Sequence, residues 1–364
     1  MRFLFIIDAL GTGGAEKMIL TLSARLIEMG HKVSILAIRN DIVFDVPNDV
    51  DLHILGYKKM SFFPQDYFYA YQLRKYITRL ENQLGHFDVI SSNLNLSNRL
   101  THMAKLSNVY YCILETVSVS SLSKRKGLKR LFRWFRLKQI LDDKKIIAVS
   151  EGIKDDLVNE VKIKPESIET IYNGVDFEKI ISLGHQDDIE DRGEYIVHVG
   201  RLDRVKRHDI LLEAFKLSGV DCKLVLVGDG REKESIKEKI MQLGLDDQVE
   251  MTGRIENQYP VIKNACLMVM SSDYEGLPTV LLESFVLSTP VVSVDCLHGP
   301  REILGEKYQK YLAVQGDTAD LAKKIKEAIN DIRQGDLTVD SNHVERFSIE
   351  NVARQYVALG IKEI

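Results

Sequence analysis

Apolar runs of strand length alternate along the chain with stretches whose apolar side chains recur at helical spacing, the pattern of βα units feeding a parallel sheet. In the first half this predicts strands at Phe3–Asp8, Lys32–Ile38, Asp88–Ser92, Val109–Leu114 and Ile146–Val149. Helices are expected at Ala15–Met29, Gln65–Leu84, Leu96–Lys105, Gly127–Leu141 and Glu151–Glu160. Around Gly184–Gly193 glycine and acidic residues displace apolar ones, as in a linker. The alternation then restarts, with strands at Tyr195–Val199, Cys222–Val227, Val249–Met251, Leu267–Met270 and Val291–Val294. Its helices are His208–Leu217, Glu232–Leu243, Thr279–Val286 and Thr318–Asp331, and Ser348–Ile364 closes the chain as an amphipathic helix. The fold class is therefore α/β: two Rossmann-like doubly wound domains, residues 1–183 and 184–345, expected to face each other across a cleft. Residues 346–364 form a terminal helix able to cross back to the first domain. Ligands of such sheets bind at the carboxyl ends of the strands.

Composition removes several function classes. In 364 residues, 45% hydrophobic, there is enough apolar surface for two cores, which excludes a disordered or fibrous chain. Forty-nine basic residues against 53 acidic ones leave a formal charge of −4, which argues against a dedicated nucleic-acid binder. Cys112, Cys222, Cys266 and Cys296 show no CxxC pairing, so neither a zinc knuckle nor a disulfide framework is expected, and a cytoplasmic location fits. The opening apolar run is too short for a signal peptide, and no run approaches the ~18 apolar residues of a spanning helix. One segment alters the picture. Between Ser123 and Lys145, ten basic residues, Lys124, Arg125, Lys126, Lys129, Arg130, Arg133, Arg136, Lys138, Lys144 and Lys145, interleave with Leu128, Leu131, Phe132, Trp134, Phe135, Leu137 and Ile140. That composition suits a helix lying on an anionic membrane surface, or one whose aromatic side packs on its own domain.

Candidate chemistry lies in loops after strands. Gly11-Thr12-Gly13-Gly14-Ala15-Glu16 brings backbone N–H groups to a helix N-terminus suited to an anion, but Glu16 stands where a dinucleotide fingerprint needs its third glycine. Gly200-Arg201-Leu202-Asp203-Arg204-Val205-Lys206 places two cations, Arg201 and Lys206, where a diphosphate would be held, although alone it reads equally as a solvated basic loop. Ser271-Ser272-Asp273-Tyr274-Glu275-Gly276-Leu277-Pro278-Thr279-Val280-Leu281-Leu282-Glu283 says more. Pro278 fits the opening turn of a helix, Glu275 falls in the loop before it, and Glu283 falls about one turn inside. N–H groups over 277–280 would meet phosphate or sugar oxygens, and the two carboxylates would accept from hydroxyls. Carboxylates and cations at one site suggest a sugar nucleotide. His102 and His298 are lone histidines, read as structural or solvated.

Gly-Gly-Ala-Glu at 13–16, Val149-Ser150-Glu151-Gly152, Asn173-Gly174-Val175-Asp176, Gly200-Arg201-Leu202 with Lys206, Val227-Gly228-Asp229-Gly230, Thr252-Gly253-Arg254 and Glu275-x7-Glu283 together resemble the family 4 retaining glycosyltransferases of the GT-B fold. The block from Asp295 to Leu304 resembles members that extend bacterial surface glycans. The resemblance implies transfer of a sugar from a nucleotide donor, with uridine favoured, to a glycan or lipid-linked acceptor at the inner face of the cell membrane. No cofactor is expected, and because no DxD-like carboxylate motif sits at a strand end, no bound metal is required by the sequence. By the same resemblance, Arg201 and Lys206 bind the diphosphate, Glu275 reaches the sugar hydroxyls and Glu283 binds the ribose. Arg254 and Ile255 recognise the base; Leu277, Pro278, Thr279 and Val280 contact the donor; Gly13 and Gly14 approach the phosphates from the acceptor domain. Many relatives carry a histidine after the strand equivalent to Tyr110–Leu114; this chain reads Glu115-Thr116 there, so either Glu115 or Thr116 contacts sugar or acceptor or the donor differs. A UDP-sugar epimerase on the same fold and a non-catalytic sugar-nucleotide-binding subunit are the alternative functions.

Overall fold

The computed structural model describes residues 1–11, 13–58, 65–123, 126–186 and 191–362. Thr12 of the glycine loop, Lys124 and Arg125 of the basic segment and 187–190 of the linker lie outside the described residues. The chain divides into two compact units, one of Met1–Gly174 with Phe347–Ile364 and the other of Val175–Arg346.

The first unit runs β1 (Arg2–Ile7), α1 (Gly14–Glu28), β2 (Lys32–Ala37), β3 (Asp51–Ile54), α2 (Gln65–Leu84), β4 (Val89–Asn93), α3 (Asn95–Met103), β5 (Val109–Ile113), α4 (Gly127–Leu141), β6 (Lys145–Ala148), α5 (Glu151–Asp155) and β7 (Ser167–Thr170). Its strands form a parallel sheet in the order β3-β2-β1-β4-β5-β6-β7. The order reverses between β1 and β4. β1 is apolar and buried from Phe3 to Ile7, as a strand covered on both faces must be.

The second unit runs α6 (Phe177–Gly184), β8 (Tyr195–Val199), α7 (His208–Ser218), β9 (Lys223–Val227), α8 (Lys233–Leu243), β10 (Val249–Gly253), α9 (Tyr259–Lys263), β11 (Leu267–Met270), α10 (Thr279–Val286), β12 (Val291–Val294), α11 (Pro300–Tyr308), β13 (Leu312–Ala313) and α12 (Thr318–Gln334). Its parallel sheet has the order β10-β9-β8-β11-β12-β13, reversing between β8 and β11. The last helix, α13 (Ile349–Ile361), packs against α1 and β4 of the first unit, with Tyr356 edge-on to Phe5 at 5.9 Å between ring centroids. Ser348 caps it, its side chain accepting from Asn351 N. Gly174 lies against its start, where a Cβ would come within 2.9 Å of Ile349 Cδ1.

Candidate functional site

The carboxyl ends of β8, β9 and β10 carry three loops locked together by backbone contacts. Gly200 N donates to Val227 O at 3.0 Å, Leu202 N to Asp229 O at 3.0 Å and Gly228 N to Gly253 O at 2.9 Å. Gly228 has φ +144, and a Cβ there would fall on the Gly200 carbonyl oxygen; at Gly230 it would fall on that of Leu202. Both glycines are needed because the neighbouring backbone occupies the space a side chain would take. This packing fixes the loop that carries Arg201 and Lys206.

That loop is joined in turn to the one after β11. Asp273 N donates to Val205 O at 2.8 Å, and Ser271 Oγ donates to Lys206 O at 2.7 Å. Lys206 and Glu275, 69 residues apart, meet as an ion pair with Nζ 2.6 Å from Oε1, their side chains only 20% and 15% exposed. For Lys206 the reading of a solvated basic loop does not hold, because the packing of the two loops brings a carboxylate to it. Arg201 is 77% exposed and donates through Nε to Asp203 Oδ2 at 2.7 Å.

α10 starts at Thr279, and Pro278 precedes the first helical residue rather than opening the first turn. Leu277 and Pro278 are buried, while Thr279 and Val280 are partly accessible. The backbone of Gly299, at φ +92, lies against this loop; a Cβ there would sit 3.2 Å from Leu277 Cα. Glu283 is 5% exposed and accepts from Gln258 Nε2 at 3.1 Å, an amide that nothing in the sequence pattern marked. Arg254 is exposed and Ile255 half-buried just beyond β10.

Two further residues escaped sequence reasoning. His198 on β8 and His208 at the start of α7 are buried, with rings edge to face at 4.8 Å. His198 shares a hydrogen bond with Val269 O at 2.9 Å, which fixes Nδ1 as its donor, while both nitrogens of His208 lack a partner among the described residues. Burial, helped by the neighbouring imidazole, pushes His198 down to about 3; burial and then the Lys206 charge push His208 down to about 4. Both are neutral at pH 7. A histidine inside an apolar strand was the available signal.

In the first unit, Gly13 is the residue before α1, Gly14 is exposed, and a Cβ at Gly13 would strike the Glu16 carboxylate. An acid in the helix's first turn thus shares the N-terminus where the glycine loop was expected to meet phosphate. At the β1/β4 reversal, Asp8 Oδ1 accepts from Ser97 N at 2.7 Å and from Ser97 Oγ at 2.8 Å. Leu94, just before α3, has φ 74 and ψ 168, a region that glycine alone occupies without strain. Exposed Glu115 accepts from Asn95 Nδ2 at 3.2 Å, whereas Thr116 is fully buried. His102 and His298 are half-buried.

α4 divides its aromatic side chains. Trp134 is half-buried and turns inward, donating its indole N–H to Val161 O at 2.7 Å. Arg133 donates to Ser121 Oγ at 3.3 Å. Leu128, Leu131, Phe132 and Phe135, 85%, 48%, 73% and 54% exposed, form an apolar stripe that is uncovered among the described residues. Among the described residues no helix is long and apolar enough to cross a membrane.

Two doubly wound parallel sheets, with cations and carboxylates at the carboxyl ends of the second, make this a two-domain Rossmann-like α/β protein with charged groups where such sheets bind ligands. Residues 12–179 match the family described as Glycosyltransferase Family 4 and residues 184–338 the one described as Glycosyl transferases group 1; the chain belongs to glycosyltransferase family 4. It is 29% identical over 305 residues to the N-acetylgalactosamine-N,N'-diacetylbacillosaminyl-diphospho-undecaprenol 4-alpha-N-acetylgalactosaminyltransferase of Campylobacter jejuni, covering 82% of each chain. A second Campylobacter jejuni protein, an alpha-1,4-N-acetyl-D-galactosaminyltransferase acting on a PP-undecaprenol-linked glycan, is 24% identical over 99% of this chain and 98% of its own. Among solved structures, the sucrose-phosphate synthase of Thermosynechococcus elongatus superposes with a TM-score of 0.80 at 19% identity, over 100% of this chain and 99% of its own. HepE of Anabaena, solved with UDP, does so at 0.77 and 20% identity over 100% of both chains. The fold is GT-B.

Proposed function

We propose that the chain is a retaining, metal-independent glycosyltransferase that moves a hexosyl-type sugar from a UDP-sugar to a lipid-linked or polysaccharide acceptor in bacterial surface-glycan or lipooligosaccharide synthesis. The observation that carries the reading is the meeting of Lys206 and Glu275 beside Arg201 at the switch point of the second sheet. UDP in the HepE structure and undecaprenol-linked acceptors of the Campylobacter enzymes support it. In this reading the second unit takes the donor. Lys206 and Arg201 meet the diphosphate, Glu275 the sugar hydroxyls and buried Glu283 the ribose; Arg254 and Ile255 lie beside the base, and Leu277 to Val280 beside the phosphates and sugar. The first unit takes the acceptor, with Glu115 the reachable member of the Glu115-Thr116 pair and Gly13 and Gly14 nearest the phosphates.

The bond from the anomeric carbon to the diphosphate oxygen breaks as that carbon gains oxocarbenium character. The leaving nucleotide carries off the electron pair, and the acceptor hydroxyl bonds to the same carbon as its proton passes to the departing diphosphate oxygen. Arg201 and Lys206 stabilise the charge that grows on the leaving group, and positioning supplies most of the rest. The exposed apolar stripe of α4, flanked by Lys129 and Arg130, rests on an anionic membrane surface and holds the enzyme peripherally at the cytoplasmic face, near a lipid-linked acceptor.

The test is a nucleotide-release assay with UDP-sugars, run with and without undecaprenyl-diphosphate-linked acceptor. Acceptor-dependent UDP release, reduced about a hundredfold in Lys206→Ala and in Arg201→Ala at saturating donor, is the expected result. Near-normal turnover in either variant overturns the placement of the diphosphate. Acceptor-independent conversion of the sugar would indicate an epimerase.

A further inference from the structure

The ion pair at the centre of the site has a consequence for what the site will hold. Both partners are pinned by their backbones. Lys206 N donates to Asp203 O at 3.2 Å and Lys206 O accepts from Ser271 Oγ, while Glu275 N donates to Leu297 O at 3.3 Å. The side chains therefore meet by default, at 2.6 Å and largely out of solvent, where a carboxylate and an ammonium hold each other more strongly than on an open surface. The groups behind them add no positive charge: His198 and His208 are neutral. Arg201 is turned toward Asp203.

We propose that Glu275 competes with the donor's diphosphate for Lys206, and that this competition makes the site prefer an intact sugar nucleotide to a free nucleoside diphosphate. The proposal rests on the donor reading of this site given above. A diphosphate that takes Lys206 must part it from Glu275. Free nucleoside diphosphate offers that carboxylate nothing in return, whereas the sugar of the donor brings hydroxyls that donate to it. Discrimination thus arises from a cost imposed on the wrong ligand as well as from contacts to the right one. After transfer, when the sugar has gone, Glu275 retakes Lys206 and speeds departure of the nucleotide.

The experiment is calorimetric titration of the full chain with UDP and with UDP-N-acetylgalactosamine, for wild type, Glu275→Gln and Lys206→Ala, with melting temperatures to confirm folding. Glu275→Gln keeps the shape of the side chain and removes the charge. It should bind UDP about tenfold tighter, which is ~1.4 kcal/mol, and gain no affinity for the sugar nucleotide. Should Glu275→Gln fail to fold, Glu275→Asp, whose shorter side chain loosens the pair, should shift UDP binding in the same direction. Unchanged or weaker UDP binding, or an equal gain for both ligands, while Lys206→Ala loses tenfold or more in UDP affinity, overturns the competition and leaves the donor site standing. Lys206→Ala binding UDP as well as wild type, or wild type failing to bind UDP, overturns the donor site itself and the competition with it.

Discussion

Replacing His208 by phenylalanine should make the second unit more stable at neutral pH and less sensitive to acid. The ring is 3% exposed and both of its nitrogens lack a partner among the described residues, so folding strips water from two polar atoms without replacing it. Phe keeps a ring against His198 and removes those atoms, which is expected to gain about 1–2 kcal/mol at pH 7.5. The acid response follows from the lowered pKa values of about 3 for His198 and about 4 for His208. A histidine whose folded pKa is depressed lends stability above its unfolded value of 6.5, and that stability drains away as pH falls from there toward the folded value. Between pH 7.5 and 5 the unfolded chain gains nearly a proton at each site while the folded chain gains almost none. Each histidine then costs about 2 kcal/mol, and the pair about 4. His208→Phe should lose only about 2 over the same interval. Stopping at pH 5 keeps Asp209, whose carboxyl the Arg207 guanidinium holds below its ordinary value, outside the window. Amide hydrogen exchange in β8 and α7, corrected for intrinsic rates, reads the opening free energy of this unit separately from histidines of the first unit whose pKa values are also lowered. Equal slopes for wild type and His208→Phe would refute the reasoning.

Two other outcomes are open to measurement. Leu94→Gly should be more stable than Leu94→Ala by about 1–2 kcal/mol in denaturant titration, reversing the usual order, since Leu94 sits at φ 74 and ψ 168; an Ala variant equal to Gly would show that the backbone there is not strained. Phe132→Glu with Phe135→Glu should abolish binding to anionic liposomes, and wild-type binding should weaken with salt above 0.15 M, where the Debye length is about 8 Å; binding untouched by the double change means that the α4 stripe does not dock.

The buried strands were legible because a strand covered on both faces must be apolar throughout: Tyr195–Val199, Leu267–Met270 and Val291–Val294 lie where the apolar runs placed them. β3, β7 and β13 were not. Asp51-Leu52-His53-Ile54 and Ser167-Ile168-Glu169-Thr170 are short edge strands that mix polar with apolar side chains, and β13 has two residues; all three are fixed by pairing with a neighbour rather than by their own pattern. Glu151–Glu160 reads as one helix, but the α-helix ends at Asp155 and the rest winds more widely as a π-helix, a difference of hydrogen-bond register that the spacing of side chains hardly records. α6, α9 and α11, short helices of eight, five and nine residues, also went unread.

The site divides along the same line. Gly228, which must lie against backbone, falls within a motif that the family resemblance marks, and no other residue fits there. Side chains whose role depends on a partner are less legible. Trp134 and Phe135 are adjacent on one amphipathic helix, yet the first bonds inward to Val161 and the second is exposed, because successive residues are about 100° apart around the axis and only the packing of α4 fixes which side is inward. Lys206 and Glu275 are a stronger case. Each was identified by residue type and loop, but their contact spans 69 residues and exists because β8 and β11 are neighbours in the sheet, a fact of strand order. Hydropathy sets where a strand begins and ends and leaves order to tertiary packing, so the charges at a switch point can be named from sequence while the competition between them is decided only in the folded sheet.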